Sequence, residues 1–140
     1  EKHPRVQSSK HRMDVAFTEI SETIALSAMY AANHLTGIKA IIALTESGYT
    51  AKLMSRITSS QPIYALSRHQ KTLNKMALYR GVYPVFFDST LNHGQKLSSA
   101  ALEAVQKIAQ LKSGDLVILT YGDVMETVGE SNTCKIVQIP

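Results

Sequence analysis

The chain has 140 residues, 44% of them hydrophobic, which is enough for one globular domain with a normal core and too apolar for intrinsic disorder. No apolar run approaches the ~20 residues that a membrane-spanning helix needs. The single cysteine, Cys134, excludes an internal disulfide, and the five histidines lack the spacing of zinc ligands. The N-terminus has no apolar stretch typical of a signal peptide, so we expect a cytoplasmic protein.

The net charge of +4 is concentrated at the N-terminus. Residues 1–12 contain four lysine or arginine residues and one glutamate, a net charge of +3, which leaves +1 for residues 13–140. A nucleic-acid interface needs a basic stripe on the folded body, and this body is nearly neutral. We therefore interpret residues 1–13 as a solvated linker and expect no nucleic-acid and no membrane partner.

The first predicted element is a helix over residues 15–35, preceded by either Asp14 or Thr18 as the cap. Apolar residues recur along it at helical spacing: Ile20, Ile24, Ala28, Ala31 and Leu35. A second face is made of small residues: Ser21, Ala25 and Ala32. Small side chains permit close approach of another element, either the sheet of the same domain or a second copy of the helix.

Strands and helices then alternate. The predicted strands are 40–44, 63–66, 82–87, 116–120 and 135–139, and the predicted helices are 50–58, 70–78 and 94–111. Ser67 and Gln70 have the spacing of a capping box for the second of these helices, and Leu97, Ala101, Val105 and Ile108 form the apolar face of the third. The alternation predicts a parallel sheet covered on both faces.

Three features orient the sheet. Pro84 places the third strand towards an edge, and the continuous apolar run 116–120 is typical of a buried central strand. The last strand follows without an intervening helix, so it must be antiparallel. We predict an α/β fold, a three-layer α/β/α sandwich with a mostly parallel five-stranded sheet and an antiparallel last strand.

The loop after the first strand is the main candidate site. Residues 45–50 read Thr-Glu-Ser-Gly-Tyr-Thr, between a strand and a helix. Gly48 lets the backbone turn, the helix start offers unpaired N–H groups, and Thr45, Ser47 and Thr50 add hydroxyls. These N–H groups and hydroxyls are hydrogen-bond donors of the kind that bind a phosphate. The alternative is an ordinary turn whose hydroxyls only cap the helix.

The long segment 121–132 is a second candidate, since it lies at the same end of the predicted sheet. It contains Gly122, Gly129 and Ser131. Long ordered loops tend to be functional, so it either closes over a ligand or is a simple hairpin. We find no catalytic constellation in the sequence, which favours a binding or regulatory domain.

Several motifs occur together in one order: 45–50 (TESGYT), 67–69 (SRH), 78–85 (LYRGVYPV), 113–118 (SGDLVI) and 129–133 (GESNT). The set resembles the C-terminal domain of pyruvate kinase from about residue 14 onward. Residues 1–13 resemble the segment that joins this domain to the catalytic barrel.

The resemblance implies a parent enzyme that transfers phosphate between phosphoenolpyruvate and ADP, the last step of glycolysis, with Mg²⁺ and K⁺. The catalytic residues belong to the barrel, so residues 14–140 alone should be inactive and hold no cofactor. The family places an allosteric effector here. Its phosphate would bind the loop matching Thr45, Glu46, Ser47, Gly48, Tyr49 and Thr50, and the loop matching Gly122 to Ser131, including Gly129, would close over it.

The resemblance also implies a homotetramer in which this domain pairs with its copy through helix 15–35 and strand 135–139. That pairing would account for the small face of the helix. Glu46 would disfavour a nearby phosphate unless it points away, so fructose bisphosphate is a poor fit. The motifs are closer to the bacterial type activated by AMP or sugar monophosphates, with Arg68 and Lys52 as the nearest candidate cations.

Two alternatives stay open at this point. One is a freestanding phosphometabolite sensor without kinase activity, and the other is a nucleic-acid-binding module driven by the basic N-terminal residues. The effector site itself could also be vestigial.

Overall fold

The computed structural model describes residues 19–122 and 131–140. Its helices are α1 (Ile20–His34), α2 (Tyr49–Ser55), α3 (Gln70–Met76) and α4 (Gln95–Ala109), with a 3-10 turn at Ser89–Leu91. Its strands are β1 (Ile38–Leu44), β2 (Ile63–Ser67), β3 (Val82–Phe86), β4 (Leu116–Tyr121) and β5 (Thr133–Gln138). The predicted order of elements is confirmed, and most boundaries differ by one to three residues.

The five strands form one sheet in the order β3-β2-β1-β4-β5. The pairs β1–β2, β1–β4 and β2–β3 are parallel, and β4–β5 is antiparallel. This arrangement confirms the α/β fold, with β3 and its Pro84 at an edge. β4 lies between β1 and β5 and is buried, as its continuous apolar run predicted, and β1 is the middle strand of the five.

Two cores lie on opposite faces of the sheet. On one face, α1, α2 and α3 pack against alternate residues of the strands, such as Ile41, Ala43 and Ile118. On the other face, α4 packs against the intervening residues, such as Ile42 and Val117. The predicted three-layer sandwich is therefore confirmed, with three helices on one face and one on the other.

The buried side of α1 combines the small face with Ala28 of the apolar stripe. Ser21, Ala25 and Ala32 are buried together with Ala28 and Met29, whereas Ile20 is 63% exposed and Leu35 41% exposed. The small side chains let α1 lie close to the sheet of its own domain. Of the two interpretations of this small face, packing against the sheet of the same domain is the one that the structure supports.

Two local predictions about helices also fail. The capping box at α3 does not form, since His69 is the N-cap without a side-chain bond and Ser67 Oγ instead accepts from the His69 N–H at 3.2 Å. On α4, Ile108 is 53% exposed, because Ala109 packs against the core in its place. The start of α1 at Ile20 follows Glu19, and the predicted residues 14–18 lie outside the described part of the chain.

None of the helices in the two described ranges has the length and apolar character needed to cross a bilayer.

The packing of α1 makes Ala28 sensitive to size. Ala28 has no exposed surface, so Ala28→Leu must push α1 away from the sheet and should lower the free energy of unfolding by about 1–3 kcal/mol. Ser27→Leu, on the exposed neighbouring position, is the matched control and should change it little. Urea unfolding measures both, and equal losses would contradict this packing.

The thiol of Cys134 on β5 is half-buried against the α1 side of the core. Burial raises the pKa of the Cys134 thiol, because it disfavours the thiolate. The folded state therefore keeps this proton at pH values where the unfolded chain loses it, and stability should fall as pH rises through the ordinary thiol range. Iodoacetamide should modify Cys134 several-fold more slowly in the folded chain than in urea, and Cys134→Ser should lose the pH dependence. Equal alkylation rates would contradict the burial effect.

Candidate functional site

The loop between β1 and α2 is held by its own hydroxyl groups. The Gly48 N–H donates to Thr45 Oγ1 at 2.8 Å, and the Tyr49 N–H donates to Ser47 Oγ at 3.2 Å. These bonds are local turns within the loop, and the N-cap residue of α2, Gly48, makes no side-chain cap bond. They use the oxygens as acceptors, so each hydroxyl keeps its proton for donation to another group. These loop contacts and anion binding are therefore compatible at Thr45 and Ser47.

Gly48 is the N-cap of α2 and has a left-handed backbone, with φ of +85°. A Cβ at this position would lie 3.1 Å from Met76 Cγ and 3.3 Å from Thr72 Cγ2 on α3. The backbone conformation favours glycine, and a Cβ here would also press against the side chains of α3. This close approach holds the loop against α3.

The start of α2 meets the chain just before β5. Thr50 Oγ1 and Ser131 Oγ are 2.6 Å apart, and their residues are 1% and 4% exposed. The parallel pairing of β1 with β4 brings these distant residues to the same edge of the sheet. Gly122 is buried directly after β4. Gly129 and the rest of 123–130 lie outside the described residues.

The Glu46 side chain is directed to the turn after β2. It is 5% exposed, and its Oε1 accepts from His69 Nε2 at 2.5 Å and lies 3.4 Å from Arg68 Nε. The Glu46 carbonyl also accepts from Thr72 Oγ1 at 2.8 Å. The side chain, its main chain and Gly48 therefore all hold the loop against α3 and the turn before it.

Sequence reasoning missed the contact between Glu46 and His69, because it considered the histidines only as possible zinc ligands. A signal was present, because residues that follow two adjacent parallel strands emerge side by side at one edge of a sheet. Glu46 comes two residues after β1, and His69 two residues after β2.

Arg68, one of the two candidate cations, is paired with Glu46. Besides the contact with Glu46, its charge acts on Asp88, which follows β3. Hydrogen bonds from the hydroxyl and N–H of Thr90, helped by Arg68, hold the pKa of the Asp88 carboxyl below its usual range. Strand ends β1, β2 and β3 thus carry a row of charges of alternating sign.

Tyr49 joins the loop to the start of α1. Its hydroxyl donates to Glu19 Oε1 at 2.6 Å. This hydrogen bond, with a smaller effect of burial, raises the pKa of Tyr49. Lys52 lies one turn further along α2 and is exposed. Among the described residues, no cluster of three or more histidine, cysteine, aspartate or glutamate side chains could hold a metal.

The close approach of Gly48 to α3 can be measured separately from its backbone conformation. Gly48→Ala introduces both strain at positive φ and the contact with Met76. Gly114→Ala introduces the strain alone, since Gly114 has φ of +93° and nothing lies within 4 Å of its Cβ position. We expect a loss of about 1–3 kcal/mol in Gly114→Ala and a larger loss in Gly48→Ala, both by urea unfolding. Equal losses would contradict the packing role of Gly48.

Comparison with known proteins agrees with this architecture. The family model for "Pyruvate kinase, alpha/beta domain" matches residues 22–137. The chain is 55% identical to Pyruvate kinase II of Salmonella typhimurium and 52% identical to a pyruvate kinase of Buchnera aphidicola subsp. Schizaphis graminum, each over 99% of this chain. It is 47% identical to a pyruvate kinase of Haemophilus influenzae over 96% of this chain. It spans only 28–29% of the length of these relatives. This chain therefore belongs to the pyruvate kinase family and corresponds to its α/β domain.

Proposed function

We propose that this chain is the regulatory domain of a pyruvate kinase and binds a phosphorylated effector at loop 45–50. The observation that carries the proposal is the meeting of this hydroxyl-rich loop with Ser131, at 2.6 Å from Thr50. The meeting point lies beyond the carboxyl ends of β1 and β4, where open α/β sheets bind their ligands.

A phosphate would use groups that the loop already positions. The hydroxyls of Thr45 and Ser47 accept from the backbone and have protons left to donate. A phosphate oxygen that accepts from both Thr50 and Ser131 requires these hydroxyls, now 2.6 Å apart, to move apart, because each new hydrogen bond is itself about 2.7 Å long. Phosphate binding at this point therefore replaces the bond between Thr50 and Ser131.

The charges around the loop support a ligand with one phosphate. Glu46 faces His69 and Arg68 and so points to the α3 side, which removes the main objection to a phosphate at the hydroxyls. Arg68 is paired with Glu46, and a second phosphate would have to compete for it. AMP or a sugar monophosphate suits this balance better than fructose 1,6-bisphosphate.

The activity of the whole protein is also a proposal, because the chain spans less than a third of its relatives. The relatives' name implies phosphate transfer between phosphoenolpyruvate and ADP, which in this family uses Mg²⁺ and K⁺ bound outside this domain. We propose that the α/β domain alone is inactive, and that the enzyme works in the cytoplasm.

We further propose that the domain pairs with a second copy within a tetramer. Within the described residues, β5 pairs only with β4, so its other edge is free to accept a strand. Ile136 on β5 is 48% exposed, and Ile20 and Tyr30 on α1 are 63% and 44% exposed. These exposed residues, and not the small face of α1, are the candidates for the contact.

The effector proposal is tested by Ser47→Asp, which puts a negative charge among the hydroxyls. AMP at ~100 times its Kd should stabilise the 140-residue chain by about 2.7 kcal/mol, seen as a rise in Tm. Ser47→Asp should abolish this rise, and in the full-length enzyme it should abolish activation by AMP.

Ser99→Asp is the matched control, since Ser99 is exposed on α4. It should keep both the AMP response and the basal activity. An unchanged response in Ser47→Asp would overturn the site. Ribose 5-phosphate, glucose 6-phosphate and fructose 1,6-bisphosphate, tested in the same way, identify the effector class.

A further inference from the structure

We propose that Arg68 and His69 form a second oxyanion subsite, specific for a phosphate group, and that the carboxylate of Glu46 occupies it in this structure. The inference deepens the proposed effector function and rests on it for its biological setting. The proposed subsite uses the side chains of Arg68 and His69 and not the hydroxyls of loop 45–50. Glu46 would then act as a built-in competitor that limits the domain to ligands with one phosphate.

The exposure of the three side chains agrees with an anion subsite that the chain's own carboxylate occupies. The side chain of Glu46 is 5% exposed, whereas those of Arg68 and His69 are 34% and 44% exposed. Both side chains therefore reach solvent, although Arg68 Nε itself is buried, and the group between them comes from the chain itself. Its carboxylate lies where the oxygens of a bound anion would lie.

The internal contact leaves polar atoms unsatisfied. Glu46 Oε2 and Arg68 Nε are both buried and have no hydrogen-bond partner among the described residues. The 3.4 Å between Arg68 Nε and Glu46 Oε1 is thus an ion pair without a hydrogen bond. Unsatisfied buried polar atoms need an explanation. A phosphate has more oxygens than a carboxylate and could accept from Arg68 Nε and His69 together.

The carboxylate can leave without unfolding the loop. The backbone at Glu46 is held by Thr72 Oγ1 at its carbonyl, and by the packing of Gly48 on α3. Rotation of the Glu46 side chain alone would open the subsite. Arg68 and His69 remain partly solvated when Glu46 is neutralised, so the fold should tolerate Glu46→Gln.

The test measures the affinity of the 140-residue chain for inorganic phosphate by calorimetry. Removing the competing charge in Glu46→Gln should lower the Kd by about tenfold, the effect of one charge contact at a partly exposed site. Glu103→Gln, an exposed carboxylate on α4, is the matched control and should leave the Kd unchanged. Adding Arg68→Gln to Glu46→Gln should cancel the gain.

No gain in a folded Glu46→Gln, or a gain that persists without Arg68, would overturn the subsite. If Glu46→Gln does not fold, Glu46→Asp replaces it. Its shorter side chain retracts the carboxylate, so it should give a smaller gain that also needs Arg68, and no gain would again overturn the proposal.

Ser47→Asp separates this inference from the proposed effector function. A gain in Glu46→Gln that survives in the double variant with Ser47→Asp supports the subsite whether or not AMP binds the loop. An AMP response that Ser47→Asp abolishes, together with no gain in Glu46→Gln, would leave the effector site standing and remove the subsite.

Discussion

The burial of β1 on both faces is the constraint on which the rest of this domain depends. Ile41, Ile42 and Ala43 have no exposed surface, and β1 pairs with a parallel strand on each side. The chain leaves β1 at the carboxyl edge of the sheet. There the segments after β1 and β2 meet each other and the chain just before β5. The loop that caps α2, the Glu46 contacts and the meeting of Thr50 with Ser131 all follow from that convergence.

The charges at this edge of the sheet lie on neighbouring strand ends and nearly balance one another. Glu46, Arg68 and Asp88 follow three neighbouring strands and alternate in sign, with His69 bonded to Glu46. Such an arrangement keeps a buried carboxylate paired but leaves little spare positive charge. A ligand bound here would be recognised by hydroxyl donors and would have to replace existing ion pairs. This differs from a site built on free lysines, whose attraction acts at long range and is screened by salt.

The predictions from the sequence and the structure differ at α1 and at the site. For α1, the spacing of Ile20, Ile24 and Leu35 correctly predicted a helix, but Ile20 and Leu35 are exposed. The buried side is made mainly of small residues such as Ala25 and Ala28, which let the helix pack closely against the sheet. At the site, the residue types were predictable, whereas the pairing of Glu46 with His69 depended on which strands are adjacent.

The sequence by itself determined the order of strands and helices, the antiparallel last strand, the edge position of Pro84 and the strand–loop–helix unit at 45–50. These depend on periodicity, on the missing N–H of proline and on short connections, all of which act locally. Only the tertiary structure decided that β1 is central, that the small face of α1 is internal, and that Glu46 engages Arg68 and His69. Those outcomes arise from contacts between residues far apart in the chain, which local patterns do not encode.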